Sequence, residues 1–178
     1  MNLTAVGRSI DVGLAADPAS CLGTATALAA LAETCEQAAL HLGRHAQLDE
    51  AAFGGLSGIV YRSSSTLLEQ ACGRTGRRSR RLAEGLTAFA QGMTEVRRRL
   101  DEAVAVAAPH LDVVGGRIWS PVRPASPDDP DDAVAAQRWA AWHDAVDRWR
   151  AARDLEDQVS QEWVRVLDRP VLFEGAAR

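Results

Sequence analysis

No lysine occurs in the 178 residues; all twenty basic side chains are arginine. That absence excludes a P-loop lysine, a Schiff-base lysine for pyridoxal chemistry and a Ser-Lys dyad. Aromatic residues are scarce at 5 % of the chain, yet five of the nine are tryptophan. Cysteine is limited to Cys21, Cys35 and Cys72, too few and too widely spaced for a disulfide scaffold or a Cys-rich zinc site. No apolar run approaches the ~20 residues that a membrane-spanning helix requires, and Met1 to Leu14 lacks a continuous apolar h-region. A chain without a membrane span is expected, any export following a route other than a cleaved signal peptide.

What is present is alanine in helical register. Apolar residues reach 47 %, and the net charge of −4 is uneven: residues 1–100 carry +2 and residues 101–178 carry −6. A protein that binds nucleic acid over its whole surface is more basic than this. The length suits one domain that buries about 70 % of its unfolded surface without disulfide or metal.

Three long helices follow from the pattern. Asp17 and Pro18 open the first, and Cys21, Ala25, Leu28, Ala32, Cys35, Ala39, Leu42 and Ala46 recur at alternating four and three, a heptad seam lined mostly by alanine. Gly54, Gly55 and Gly58 around Phe53 read as a turn. A second seam begins with Val60, Ser64, Leu67 and Ala71, loses register through Gly73–Arg81, where a kink is expected, and resumes as Leu82, Leu86, Phe89, Met93, Val96, Leu100, Ala103 and Ala107. Residues 109–130 hold five prolines and Gly115-Gly116 and form a connector, docked by Trp119. The Asp128–Asp132 run then caps a third helix whose apolar face is Ala135, Trp139, Trp142, Val146, Trp149, Ala152, Leu155, Val159, Trp163 and Val166, stopped by Pro170. The fold class is therefore all-α: an elongated antiparallel hairpin over residues 17–108, and a third helix over 131–169 that folds back along the second. Residues 1–16 lead in and residues 170–178 form a tail. Short extended stretches are expected at most near Asp112–Val114 or Val171–Phe173.

Few residue groups point to chemistry. His41, His45 and Asp49 share a helical face at i, i+4 and i+8, but surface residues near a helix end explain that spacing better than a metal. No metal or cofactor is expected. Gly55-Leu56-Ser57-Gly58 misses the Gly-x-Ser-x-Gly spacing by one residue, and no carboxylate pair sits in an apolar surrounding, so the chain is read as non-enzymatic. Arg74, Arg77, Arg78, Arg80 and Arg81 with Arg97–Arg99 make a basic strip. Carboxylates of its own helix and of the third, among them Asp101, Glu102, Asp144, Asp147, Asp154, Glu156 and Asp157, are expected to answer it, which leaves nucleic acid a lesser alternative. Trp142 and Trp149 are expected in the core. Trp139 and Trp163, with Leu82, Leu86, Phe89 and Met93, are candidates for partner contact. In a hairpin centred on Gly54, Cys35 and Cys72 should stand at nearly the same height.

Two alanine-rich heptad helices joined by a short turn carrying an aromatic and then glycine resemble the Trp-x-Gly helical hairpins exported by type VII (ESX) secretion systems. The motif here is Phe53-Gly54-Gly55, with phenylalanine in place of tryptophan. The connector and third helix are similar to the longer N-terminal targeting domains of secreted toxins in actinobacteria. The resemblance implies pairing with small Trp-x-Gly-type partners and the secretion machinery, and residence in the cytoplasm before export without a signal peptide. The Tyr-x-x-x-Asp/Glu export signal of that family is absent: Tyr61 is followed at the required place by Ser65. A self-associating scaffold without an export role is the alternative.

Overall fold

The computed structural model describes residues 8–47, 54–121 and 132–168. Its elements are β1 (Ser9–Asp11), α1 (Pro18–Ala46), α2 (Gly55–Ala107), β2 (Val113–Val114), β3 (Arg117–Trp119) and α3 (Asp132–Asp168). The architecture is all-α, with one long helix packed against the other two and little strand. The chain divides into two compact units, the first formed by Met1–Pro18 and Gln91–Gln161 and the second by Ala19–Ala90 and Glu162–Arg178.

In the first unit the chain before α1 and the chain after α2 meet in a small antiparallel sheet of order β1-β3-β2. Ile10 pairs with Ile118, and Val114 pairs with Arg117 across Gly115-Gly116. Both glycines have positive φ, 61° and 72°, the backbone that a two-residue hairpin turn of this hand needs and that a side chain disfavours. The connector is thus partly a β-hairpin, and its anchor is Ile118 rather than Trp119. In so short a strand alternate residues face opposite sides: Ile118 is fully buried while Trp119 is 39 % exposed.

Ile10, Leu111 and Ile118 pack with Ala103 and Ala107 of α2 and Trp142 and Ala145 of α3, flanked by Val104, Trp139, Val146 and Trp149. The core position expected for Trp142 is observed, and Trp149 lies half-buried at the margin. Two α3 side chains fasten β1: Trp149 Nε1 donates to Asp11 O at 2.7 Å, and Arg153 Nη2 donates to Asp11 O and Gly13 O, both at 2.8 Å. The two helices approach closely where Gly92 lies under Val159. A Cβ at that glycine would stand 2.6 Å from Val159 Cγ2, closer than packed atoms tolerate.

In the second unit α1 and the first half of α2 form an antiparallel hairpin. The seam positions of α1 fall where the heptad places them: Ala25 and Ala32 are buried, and Cys21, Leu28, Cys35, Ala39, Leu42 and Ala46 half-buried. Their partners on α2 differ from expectation. Gly58, Ser65, Gly76, Ser79 and Ala83 are buried and Cys72 half-buried, whereas Val60, Ser64 and Leu67 are exposed. An alanine-lined helix approaches so closely that the facing positions accept only small side chains. Around Gly76 the nearest atoms to an added Cβ are Glu36 Cγ at 3.1 Å, Ala32 O at 3.2 Å and Cys35 Cβ at 3.4 Å. The seam does not lose register at Gly73–Arg81; it runs through that segment as Gly76 and Ser79 and on to Ala83.

The same contacts correct the hairpin's centre. Gly76, not Cys72, stands beside Cys35, and Gly43 meets the Glu69 carboxylate. Cys72 lies four residues from that level, about 6 Å along the axis, and all three thiols are free. α2 begins at Gly55 with φ +75°. By these contacts the register of the two helices is centred near residue 56, about two residues further along the chain than Gly54.

Candidate interaction surface

The hairpin's two faces differ in kind. Inside, small side chains close the seam, and one bidentate ion pair crosses it at the edge: Arg80 Nε donates to Glu36 Oε1 at 2.9 Å and Nη2 to Oε2 at 2.5 Å. That bond holds the Glu36 carboxyl below its ordinary range. Outside, α2 carries a track that begins where α3 touches it. In this unit Trp163 and Val166 pack on Gly85, and the Trp163 ring lies 6.0 Å from that of Phe89. Stepping from Gly85 toward the N-terminus of α2 by fours and threes stays on one helical face and meets Arg81, Arg78, Arg74, Ala71, Leu67, Ser64, Val60 and Leu56.

That face is exposed. Leu56, Val60 and Leu67 are 78 %, 57 % and 66 % accessible, and Ile59 and Leu68, also exposed, stand on its two margins. Leu22, Leu31 and Leu40 of α1 are exposed as well, but the first and last lie on one flank of α1 and Leu31 on the other, so they form no stripe. The same α2 face is basic beyond Ala71. Among the described residues no carboxylate forms an ion pair with Arg74, Arg78 or Arg81, whereas Arg98 and Arg99 both bind Glu95, holding its carboxyl at about 2. The expectation that the third helix answers the arginine strip is corrected in part. Arg80 pairs with Glu36 of α1, and Arg98 and Arg99 pair within α2, Arg98 with Glu102 as well as Glu95.

The candidates named from sequence divide four ways. Gly54 and Gly55 are exposed at the start of α2, and a Cβ at Gly55 would meet nothing within 4 Å, so its φ rather than packing demands glycine there. Phe53 lies outside the described residues, as do Asp49, Asp128–Asp131 and Val171–Phe173. Met93 is buried in the core, which removes it as a contact for a partner. Leu82, Leu86, Phe89 and Trp163 are half-buried, the last two against each other. Trp139 is half-buried beside the core with its ring 5.7 Å from His143, and its buried Nε1 finds no acceptor among the described residues.

No group of three or more metal-binding side chains clusters among the described residues, and no helix there is long and apolar enough to cross a membrane. What this surface can do is seat another helix. Sequence reasoning missed Leu56, Val60 and Leu67 as surface because it ranked seam candidates by hydrophobicity. The signal was the second period, Gly58, Ser65, Cys72, Gly76, Ser79 and Ala83, which matches the alanine seam in size. No protein-family model, curated protein or solved structure matches the chain.

Proposed function

We propose that the chain is a non-enzymatic helical interaction module of the kind the Trp-x-Gly hairpins of type VII (ESX) secretion represent. In this reading it pairs in the cytoplasm with a small helical partner and leaves the cell with it by a signal-peptide-independent route. The observation that carries the reading is the two-faced hairpin. Its inner seam is closed by residues too small to bury much apolar area, while leucine and valine of α2 stand in water on the outer face. Exposed apolar residues at helical spacing mark a surface meant for another helix. The glycine demanded by backbone conformation at Gly55, two residues after the aromatic Phe53 as in the Trp-x-Gly spacing, supports the motif-like turn.

The test is secretion from cells of the source organism. Coexpressed with a small helical protein that co-purifies with it, the tagged chain should appear in the culture medium, and should stay inside when the export ATPase is deleted. Equal amounts outside with and without the ATPase would refute the export role. Phe53→Ala should reduce secretion at least tenfold while leaving the melting temperature within about 2 °C, the result for a side chain that serves recognition rather than folding.

A further inference from the structure

The outer face of α2 does not end where α3 ends. Glu162–Asp168 covers it at Gly85 and Phe89. Below that point the same face runs about 38 Å from Arg81 to Leu56, seven turns of helix, without a described element upon it. Its chemistry changes once along the way, from three arginines to leucine and valine.

We infer that this track, Leu56 to Arg81, is the docking site of a partner helix that is apolar along one stripe and carries carboxylates in its first turns. The inference rests on the pairing proposed above and names the partner's chemistry. Two observations select the occupant. One is continuity: α3 already lies antiparallel to α2 on this face, and a helix continuing its path needs the same geometry. The other is charge. In that orientation the partner's N-terminal turns oppose Arg74, Arg78 and Arg81, which lack ion pairs among the described residues, and helix N-termini favour acidic side chains. The remaining turns oppose Ala71, Leu67, Val60 and Leu56. Nucleic acid fits less well, because a phosphate backbone would use the arginines and leave three large apolar residues in water, with no aromatic ring on the track for a base to stack on.

The probe is a fluorescent synthetic helix of 26 residues with leucine and alanine at heptad spacing and four glutamates in its first three turns. It is compared with the same peptide carrying glutamine at those four places. Titrated with the full chain at low salt, the glutamate peptide should bind about tenfold more tightly, the sum of three modest surface pairs, and the preference should fade by 0.5 M salt. Arg74→Gln, Arg78→Gln and Arg81→Gln together should abolish the preference and leave the glutamine peptide's affinity unchanged. Leu56→Ser with Leu67→Ser should weaken both peptides alike; all five substitutions are on exposed residues, so circular dichroism melts should be unaltered.

Peptide binding indifferent to both sets of substitutions overturns the docking site. So does a dimer of the chain that Leu67→Ser dissociates in sedimentation equilibrium, which would make a second copy the occupant. Tenfold tighter peptide binding on ending the chain at Asp168 would make its own last ten residues the occupant, and a duplex DNA bound as tightly as the glutamate peptide would make the site a phosphate binder. Any of these results leaves the export reading to its secretion test. Conversely, failed export beside the expected peptide pattern removes the export reading and keeps the docking site.

Discussion

Trp142→Ala should lower the unfolding free energy by about 3–5 kcal/mol, the cost of emptying a large aromatic volume that its neighbours cannot refill. The side chain is 8 % exposed and belongs to the cluster that joins α2, α3 and the small sheet, with Ala103, Ala107 and Ala145 around it and Ile10 and Ile118 on the sheet side. Those alanines have no longer side chains with which to collapse into the space. Urea unfolding followed by circular dichroism measures the loss directly. Trp119→Ala, on the exposed face of β3, should cost less than about 1 kcal/mol in the same experiment. A loss below about 1 kcal/mol at Trp142 as well would mean that Trp142 does not occupy the core.

Ile118→Ala should cost about 2–5 kcal/mol, and it bears on a different element. Ile118 is fully buried, pairs with Ile10 across β1 and β3, and sits where the start of the chain is fastened by Trp149 and Arg153. Its truncation should therefore loosen β1 as well. Hydrogen exchange read by NMR should show the Val12 and Ser120 amides, which donate to Gly116 O and Arg8 O, losing protection before those of α2 near Leu100. Unchanged protection at Val12 would show that the sheet stands without this residue.

Helix placement was legible because each helix repeats its pattern over many turns. Every residue of the α1 seam Cys21 to Ala46 and of the α3 face Ala135 to Val166 is buried or half-buried. The sheet was largely hidden. Its strands are two and three residues long, and Ser9 meets Trp119 more than a hundred residues away, a pairing that no local period announces. Gly115-Gly116 signalled a turn, but only β1 makes the following strand worth forming. The N-terminal half of α2 was misread for a physical reason: helices that approach through alanine exclude large side chains, so Gly76 and Ser79 go inside and Val60 and Leu67 outside. The candidate surface was missed for the same reason, since residues assigned to a seam are not sought on a face. The placement of Phe89 and Trp163 against each other could not be read from either helix alone, because the antiparallel register that brings Val166 to Gly85 depends on the length of the connector.

Hydroxyl-radical footprinting of the full chain, alone and saturated with the 26-residue glutamate peptide as the partner helix, tests the two-faced hairpin most directly. Exposed leucine oxidises and buried leucine does not, so peptide mass spectrometry should find Leu56 and Leu67 modified at least five times faster than Leu100 in the isolated chain. With the partner bound, Leu56 and Leu67 should fall to the rate of Leu100 while Leu31 of α1 stays reactive. Leu67 as protected as Leu100 in the isolated chain, or fully reactive in the complex, would contradict the account.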